Sequence, residues 1–276
     1  MDRLLPTVLI TGASCGIGKE LARVFAENHY SLILVARDRV RLEALAQELH
    51  HLYLVPIRVE VCDLSRRDDV EALISRIQSE HVVVDVLVNN AGVGVEGAFT
   101  TTDWTRERDM IELNVSALVR LTKAFLPQMV NRRAGKILQI ASTAAFQPGP
   151  YLSVYFATKA FVLSFSEAIA TELRGSGVTV TAFCPGPTHT EFERRLGTDS
   201  GLFASGLPVA NVRSVAEHAF AAVMRGKRVG IHGLLNRILA VLVGWSPNAF
   251  TLFLLGRALN KKPRSRSGQA KDFSSS

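Results

Sequence analysis

The segment Thr11-Gly-Ala-Ser-Cys-Gly-Ile-Gly18 sets the architecture of this 276-residue chain. A short apolar run, Thr7-Val-Leu-Ile10, precedes it and predicts a buried strand, and the pattern from Lys19 to Asn28 predicts a helix. Strand, glycine-rich turn and helix in this order form a dinucleotide-binding element, whose helix N-terminus offers the positive end of its dipole to a phosphate.

The residues of this turn have separate predicted tasks. Gly12 permits the tight turn, Gly16 lets the backbone approach a pyrophosphate, and Gly18 allows the helix to pack closely on the strand. Ser14 and Ile17 lie in the same turn and are predicted to contact the cofactor with them. The position of the glycines between a strand and a helix makes the pattern specific.

The second predicted strand, Ser31-Leu-Ile-Leu-Val-Ala36, is followed directly by a basic residue, Arg37. An acidic residue about 20 positions after the glycines would hold the ribose hydroxyls of NAD. Arg37 stands near that place instead and suits a 2′-phosphate, so the sequence predicts NADP(H) over NAD(H). The alternative is that Arg37 is a solvated turn residue paired with Asp38.

Strand and helix patterns alternate along the chain, which predicts a parallel, doubly wound α/β sheet of the Rossmann type. The further predicted strands lie within Leu54–Val61 and at Asp85–Asn89, Lys136–Ile140, Val178–Phe183 and Arg228–Ile231. The further predicted helices are Arg39–His50, Arg66–Ser79, Thr105–Arg132, Leu152–Arg174 and Ser214–Arg225.

Two polar residues follow the third strand. Asp63, at its carboxyl end, is placed to accept a hydrogen bond from an adenine amino group, and the alternative is that it caps the next turn. Ser65 is the predicted N-cap of the helix that begins near Arg66.

Tyr155 and Lys159 stand four residues apart near the start of the helical pattern Leu152–Arg174, so they share one face of a helix. A phenol is a poor acid or base near neutrality, because its reference pKa is about 10. A nearby ammonium stabilises the phenolate, so Lys159 is expected to lower the pKa of Tyr155. Such a pair can move a proton on or off an oxygen, which is half of a carbonyl–alcohol interconversion.

The turn Asn89-Asn-Ala-Gly92 follows the predicted strand Asp85–Asn89. Together with Thr-Gly-x-x-x-Gly-Ile-Gly upstream and Tyr-x-x-x-Lys downstream, it makes the chain similar to the classical short-chain dehydrogenase/reductase family from about Thr7 to Arg228. The resemblance implies an oxidoreductase that uses a nicotinamide cofactor. It also implies that the Asn89–Gly92 turn stabilises the central sheet and borders the cofactor, with Asn90 as a contact.

The resemblance implies further catalytic residues. Ser142 precedes Tyr155 by 13 residues, the spacing of the family's catalytic serine, whose hydroxyl donates to the substrate oxygen. Thr143 is the weaker candidate for that task. Asn114 would help to hold a water that links the active-site lysine to solvent, and without the resemblance it is a helix-bending polar residue.

The same resemblance extends to the segment after the sixth strand. Pro185-Gly186 would lie against the nicotinamide, and Thr188 and Thr190 match positions that contact its carboxamide. The stretch from Glu191 to Asn211 resembles the family's mobile substrate lid. Its apolar residues favour a small hydrophobic carbonyl or alcohol as substrate.

Composition excludes several classes of protein. Hydrophobic content of 47% and charged content of 21% describe an ordinary globular chain. The net charge of +7 owes much to the last segment, so no nucleic-acid site is predicted. The three cysteines are widely spaced, which favours reduced, buried thiols and a cytoplasmic protein. No signal peptide, metal-ligand cluster or apolar run of about 18 residues is recognised.

The last part of the chain departs from the family pattern. We predict a dinucleotide-binding and catalytic domain at residues 1–232, an apolar helical extension at 233–259 and a basic, disordered tail at 260–276. Two apolar segments, Leu234–Val243 and Ala249–Leu255, flank a break that contains Trp245.

Three interpretations of this extension stay open. The segments pack on the domain or on a second subunit, they form a peripheral contact with an anionic membrane surface, or they span a membrane. The third needs about 20 residues per helix, at least twice what either segment offers. The family resemblance implies a homodimer or tetramer that pairs through Thr105–Arg132 and Leu152–Arg174, unless the extension obstructs or replaces that contact.

The sequence therefore predicts a single Rossmann-type domain that acts as an NADP(H)-dependent oxidoreductase, with Tyr155 as general acid and base, Lys159 as its partner and Ser142 orienting the substrate oxygen. The competing hypothesis is a non-catalytic protein of the same fold that senses a nucleotide or acts as a scaffold for a partner. The presence of Asn114, Ser142, Tyr155 and Lys159 together favours the enzyme.

Overall fold

The computed structural model of the chain describes residues 5–188 and 209–245. Within these ranges the strands form one parallel sheet in the order β3-β2-β1-β4-β5-β6-β7. The strands are β1 (Thr7–Thr11), β2 (Ser31–Ala36), β3 (Ile57–Val61), β4 (Val86–Asn89), β5 (Gly135–Ile140), β6 (Val178–Cys184) and β7 (Val229–Ile231). The chain reverses its direction of travel across the sheet between β1 and β4, and such a switch point opens a crevice for ligands.

Helices cover both faces of the sheet, as the alternating pattern predicted. They are α1 (Gly16–Glu27), α2 (Arg39–Tyr53), α3 (Arg67–Ser79), α4 (Trp104–Ile111), α5 (Leu118–Asn131), α6 (Ser153–Glu172), α7 (Val212–Met224) and α8 (Leu234–Trp245). A π-helical turn (Glu112–Ala117) joins α4 to α5, and a 3-10 turn (Thr143–Phe146) follows β5.

The core is divided by the sheet into two apolar layers. Strand residues alternate between them, so that Val8 and Ile10 of β1 join one layer and Leu9 the other. The first layer lies under α1, α2 and α7, where Phe25 and Phe220 meet edge to face with ring centroids 5.0 Å apart. The second lies under α3, α5 and α6. Because both faces are covered, the strands read as nearly continuous apolar runs.

Two local predictions were wrong. Ser65 does not cap α3, because its hydroxyl donates to Asp63 Oδ1 at 2.7 Å and the N-cap is Arg66, without a side-chain cap. The helix predicted at 105–132 is not uniformly α-helical, since the π-helical turn interrupts it. Single π turns inside α-helices are rare, and no feature of the sequence was used to predict this one.

None of the cysteines in the described ranges forms a disulfide. Cys62 and Cys184 are buried and Cys15 is partly exposed. None of the described helices is long and apolar enough to cross a membrane. Among the described residues no three His, Cys, Asp or Glu side chains gather in a way that could hold a metal ion.

Candidate active site

The glycine-rich turn between β1 and α1 is closed so tightly that side chains would not fit. Gly12 and Gly16 have φ of 67° and 56°, the left-handed region that glycine adopts without strain. A Cβ at Gly18 would lie 2.2 Å from the Gly12 carbonyl oxygen and 2.5 Å from Asn90 Nδ2. The start of α1 therefore lies directly against the end of β1, and the dipole of α1 favours phosphate at this N-terminus.

Thr11 fastens this turn to the Asn89–Gly92 segment, a role that sequence reasoning missed. Its buried hydroxyl donates to the Val88 carbonyl at 3.2 Å and accepts from the backbone amides of Asn90 at 2.9 Å and Ala91 at 3.0 Å. Asn90 Nδ2 returns a bond to the Thr11 carbonyl at 2.9 Å. The available signal was a hydroxyl residue at the carboxyl end of β1, beside the switch point.

Arg37 lies at the carboxyl end of β2, and its side chain is 62% exposed. Its guanidinium lies 3.7 Å from Asp63 Oδ2, so its partner is Asp63 and the alternative pairing with Asp38 is not observed. Asp38 instead caps α2 by accepting from the Arg41 amide at 3.1 Å. A cation at the end of β2 suits a phosphate on the ribose, and the carboxylate of Asp38 beside it is engaged as the cap of α2.

The side chain of Asp63 forms hydrogen bonds within the turn that follows β3. Oδ1 accepts from the Ser65 amide at 3.1 Å as well as from its hydroxyl, which is the turn-capping role named as the alternative. Burial opposes ionisation of this carboxyl, but the Ser65 bonds and the Arg37 charge outweigh it and hold its pKa below the usual value. The contact with an adenine amino group stays a prediction.

Ser142, Tyr155 and Lys159 come together at the carboxyl end of β5. Ser142 is the N-cap of the 3-10 turn and accepts from the Ala144 amide at 3.1 Å, and a hydrogen bond links it to Tyr155. Tyr155 and Lys159 lie one turn apart on the buried face of α6. Lys159 Nζ donates to the Ile140 carbonyl at 2.9 Å and lies 5.9 Å from the centroid of the Tyr155 ring.

The electrostatics of the pair differ from the expectation. Burial raises the pKa of Tyr155 to about 12, opposed by the hydrogen bond with Ser142, so the predicted lowering by Lys159 is wrong for the chain in this structure. Burial also lowers the pKa of Lys159 to about 8. Both shifts have the sign that desolvation of a charged form gives. At neutral pH the phenol is therefore protonated and is suited to donate a proton.

Apolar side chains surround the Tyr155 ring. Tyr155 belongs to a small cluster separate from the two main layers, and its other buried members are Val95, Met110, Ala144, Leu152 and Phe156. This environment accounts for the burial of the phenol.

Asn114 lies inside the π-helical turn, and both N–H groups and the oxygen of its side chain form hydrogen bonds. Oδ1 accepts from the Val93 amide at 3.0 Å, and Nδ2 donates to the Val93 carbonyl at 2.9 Å and to Thr158 Oγ1 at 3.1 Å. A Cβ at Gly92 would lie 3.2 Å from Asn114 Oδ1 and 3.4 Å from Lys159 Nζ. Asn114 thus lies beside the lysine, at a π turn of the kind often found at functional sites.

The turn after β6 closes the far side of the crevice. Thr188 Oγ1 donates to the Gly186 carbonyl at 2.9 Å, and Thr188 pairs with Ala210 in an isolated bridge. A Cβ at Gly186 would lie 2.3 Å from Asn236 Nδ2, so α8 packs directly on the predicted Pro185-Gly186 contact. Thr190 and the lid residues 191–208 lie outside the described ranges.

The crevice thus combines two parts along one edge of the sheet. The glycine turn before α1 and Arg37 offer a place for the phosphates of a dinucleotide, and Tyr155 with Ser142 offers a proton donor held against a second hydroxyl. This is the arrangement needed for proton transfer to an oxygen beside a bound nicotinamide.

Comparisons with known proteins agree with this geometry. The model of the family described as short chain dehydrogenase matches residues 6–201. The NADP-dependent 3-hydroxy acid dehydrogenase YdfG of Salmonella typhi is 40% identical over 183 residues, which cover 65% of this chain and 71% of the relative.

Two solved structures are similar along nearly the whole chain. A short-chain dehydrogenase from Sphingobium yanoikuyae in complex with NADPH has a TM-score of 0.79 at 35% identity and covers 95% of this chain and 100% of its own. The bulky-bulky ketone specific alcohol dehydrogenase from Comamonas testosteroni has a TM-score of 0.74 at 30% identity and covers 96% and 98%.

Proposed function

This chain belongs to the short chain dehydrogenase family, whose named relatives are enzymes acting on hydroxyl and carbonyl groups, and we propose that it is an NADP(H)-dependent oxidoreductase for a hydrophobic carbonyl or alcohol. The observation that carries the proposal is the buried Tyr155, hydrogen-bonded to Ser142 and one turn from Lys159, beside the glycine turn. A non-catalytic role as nucleotide sensor or scaffold is not favoured.

The cofactor preference rests on Arg37. Its exposed guanidinium at the end of β2 would pair with a 2′-phosphate by a charge-assisted bond, and Asp38, the acidic residue that follows it, is engaged as the cap of α2. The Sphingobium structure contains NADPH, and the Salmonella relative is named as NADP-dependent. Both names support NADP(H) for this chain.

The proposed chemistry divides between cofactor and protein. Bound NADPH supplies a hydride to the carbonyl carbon of the substrate. Tyr155 donates its phenolic proton to the carbonyl oxygen, and Ser142 holds that oxygen by a hydrogen bond as negative charge develops on it. Lys159 contacts the nicotinamide ribose and carries the positive charge nearest the phenolate that is left. The protonated state of Tyr155 at neutral pH suits it to donate the proton when a carbonyl is reduced.

The proposed substrate class rests on the apolar cluster around Tyr155. Val95, Met110 and Leu152 are buried beside the ring, so a polar substrate would lose hydration there without gaining partners. The name of the Comamonas structure, which specifies bulky-bulky ketones, supports a hydrophobic carbonyl, whereas the name of the Salmonella relative specifies a 3-hydroxy acid.

Two further proposals concern the whole protein. We propose a homodimer or tetramer that pairs through α5 and α6, where Phe161 is exposed and stacks on Phe165 with centroids 5.8 Å apart. We also propose a cytoplasmic setting, which the wide spacing of the three cysteines predicted.

A cofactor-consumption screen tests the proposed function. The full chain is incubated with NADPH and a panel of hydrophobic aldehydes and ketones, and loss of NADPH absorbance is followed, with NADH in parallel. Turnover of one or more of these carbonyls with NADPH, and weaker turnover with NADH, is the expected result. NADPH binding in a direct titration without turnover of any carbonyl would favour the sensor or scaffold instead.

A further inference from the structure

The outward face of α8 is apolar and exposed, although the opposite side of α8 packs on the protein. Exposure of its large apolar side chains runs from 37% for Leu239 to 72% for Leu234, and the full set is Leu234, Leu235, Ile238, Leu239 and Leu242. We call these five residues the α8 face. Scattered exposed apolar residues are ordinary in soluble proteins, but five within three turns of one helix form a patch.

The helix is fixed to the protein on its other side. Asn236 lies against Gly186 and donates to the His232 carbonyl at 2.8 Å, and α8 packs beside the 3-10 turn that follows Ser142. Within the described residues, packing of α8 on the domain does not bury the α8 face. Packing uses the Asn236 side and leaves the apolar side outward.

Charge distinguishes the partners that fit this face. α8 contains no acidic residue, and its one charged residue is Arg237, which is exposed. The 31 residues after Trp245 contain six basic residues and one acid. The basic residues are Arg257, Lys261, Lys262, Arg264, Arg266 and Lys271. An apolar helix face followed by a basic segment complements a surface that is apolar beneath and anionic at its boundary.

A second copy of the chain fits the α8 face less well. A stable interface between two proteins buries roughly 800 Å² on each partner and draws on about 20–30 residues a side. Five side chains on one short helix supply a small part of that. A dimer through this face would also bring the basic segments of the two copies together without an acidic counterpart.

We propose that the α8 face docks on the surface of a membrane that contains anionic lipids. The five aliphatic side chains enter the boundary of the acyl chains, and Arg237 and the basic segment contact the headgroups. The helix lies in the interface and does not cross the bilayer. This interaction goes beyond the proposed reaction and does not depend on it.

Docking through α8 would place the crevice close to the bilayer, from which a hydrophobic substrate would enter. α8 follows the carboxyl end of β7, the edge of the parallel sheet where Ser142 and Pro185 also lie, and it packs on the turn after Ser142. Docking would turn that edge toward the bilayer. A hydrophobic carbonyl dissolved in lipid could then enter the crevice without crossing bulk water.

Flotation with lipid vesicles tests the docking without any measurement of activity. The full chain is mixed with vesicles of phosphatidylglycerol and phosphatidylcholine, or of phosphatidylcholine alone, at low and high salt. The expected result is flotation with the anionic vesicles that weakens with salt. Failure of the unmodified chain to float with anionic vesicles would overturn the proposal without the need for any variant.

A pair of variants assigns the binding to the α8 face. Leu235→Glu with Ile238→Glu should weaken flotation by at least about tenfold, because two aliphatic side chains no longer enter the lipid. Val40→Glu with Leu52→Glu is the matched control, since it adds the same charge at exposed apolar positions of α2, and it should float as the unmodified chain does.

The outcomes of this comparison are distinct. Equal flotation of both variants would overturn the assignment to α8. Conversion of a larger oligomer to a smaller one by the α8 variant alone, in light scattering and without lipid binding, would assign the face to a second copy. If the α8 variant alone loses thermal stability, and the unmodified chain does not bind lipid, the α8 face would be assigned to contact with a later segment of the same chain.

Discussion

Lys159→Met should stabilise the folded protein at neutral pH while it removes a residue of the proposed active site. Lys159 is buried, and burial lowers its pKa from 10.5 to about 8. A shift of this size corresponds to about 3 kcal/mol of unfavourable free energy in the folded state at pH 7. Methionine has a similar length and no charge to desolvate.

The sign of the pH dependence follows from the two pKa values of Lys159. Between about pH 8 and 10.5 the unfolded chain binds the proton of Lys159 and the folded chain does not, so stability rises with pH in this window. The unfavourable contribution falls from about 3 kcal/mol at pH 7 to about 1 kcal/mol at pH 9.5. The advantage of Lys159→Met over the unmodified protein should therefore shrink by about 2 kcal/mol between these two pH values.

Urea unfolding gives the free energy of unfolding of both proteins at pH 7 and pH 9.5, and the quantity tested is the change in the variant's advantage between the two pH values. The pH dependence follows from the folded and unfolded pKa values of Lys159 alone, and any loss of packing that does not change with pH cancels in the comparison. Lys123→Met, at an exposed position of α5, controls for loss of one lysine. An advantage that does not change with pH, or that grows as pH rises, would refute the buried, destabilising charge.

The remaining predictions concern the cofactor site and its support. Arg37→Asp should reverse the preference for NADPH over NADH, which we expect at roughly 1.5–3 kcal/mol in titrations of the unmodified protein; equal affinities there would contradict the assignment. Thr11→Val should lower the free energy of unfolding by about 1–3 kcal/mol, because buried amides and a carbonyl lose their partner. Thr181→Val is its control and should be neutral or stabilising, since the buried Thr181 hydroxyl has no hydrogen-bond partner among the described residues. Gly18→Ala should abolish NADPH binding in a direct titration, because the Cβ of the alanine would lie 2.2 Å from the Gly12 carbonyl oxygen. NADPH binding that is unchanged in this variant would contradict the close packing of α1 on β1.

Much of the fold followed from simple sequence patterns. β2 begins and ends where the apolar run Ser31–Ala36 predicted, because a strand buried on both faces needs an uninterrupted apolar segment. Helix ends were less well predicted. α1 begins at Gly16, inside the glycine motif, and α2 continues to Tyr53 and ends on Leu54 at φ 55°, a left-handed cap that no local glycine announced.

The sequence predicted that Ser142, Tyr155 and Lys159 would lie close together, but it did not predict the pKa of Tyr155. Motif spacing brought Ser142, Tyr155 and Lys159 to one place, because the carboxyl ends of parallel strands share an edge of the sheet. The pKa of Tyr155 was predicted in the wrong direction. Its value depends on the apolar cluster around the ring, whose members Val95 and Met110 come from distant parts of the chain. Burial of that kind is a tertiary property without a local pattern.

A comparison of the unmodified chain with Tyr155→Phe isolates the proton-transfer step on which the proposed reaction depends. Phenylalanine keeps the apolar ring contacts and removes only the hydroxyl that is hydrogen-bonded to Ser142. NADPH affinity, measured by fluorescence titration, should be nearly unchanged, while NADPH oxidation with a carbonyl that the unmodified enzyme reduces should fall steeply. Retention of substantial turnover by Tyr155→Phe would contradict the role of Tyr155 as the proton donor.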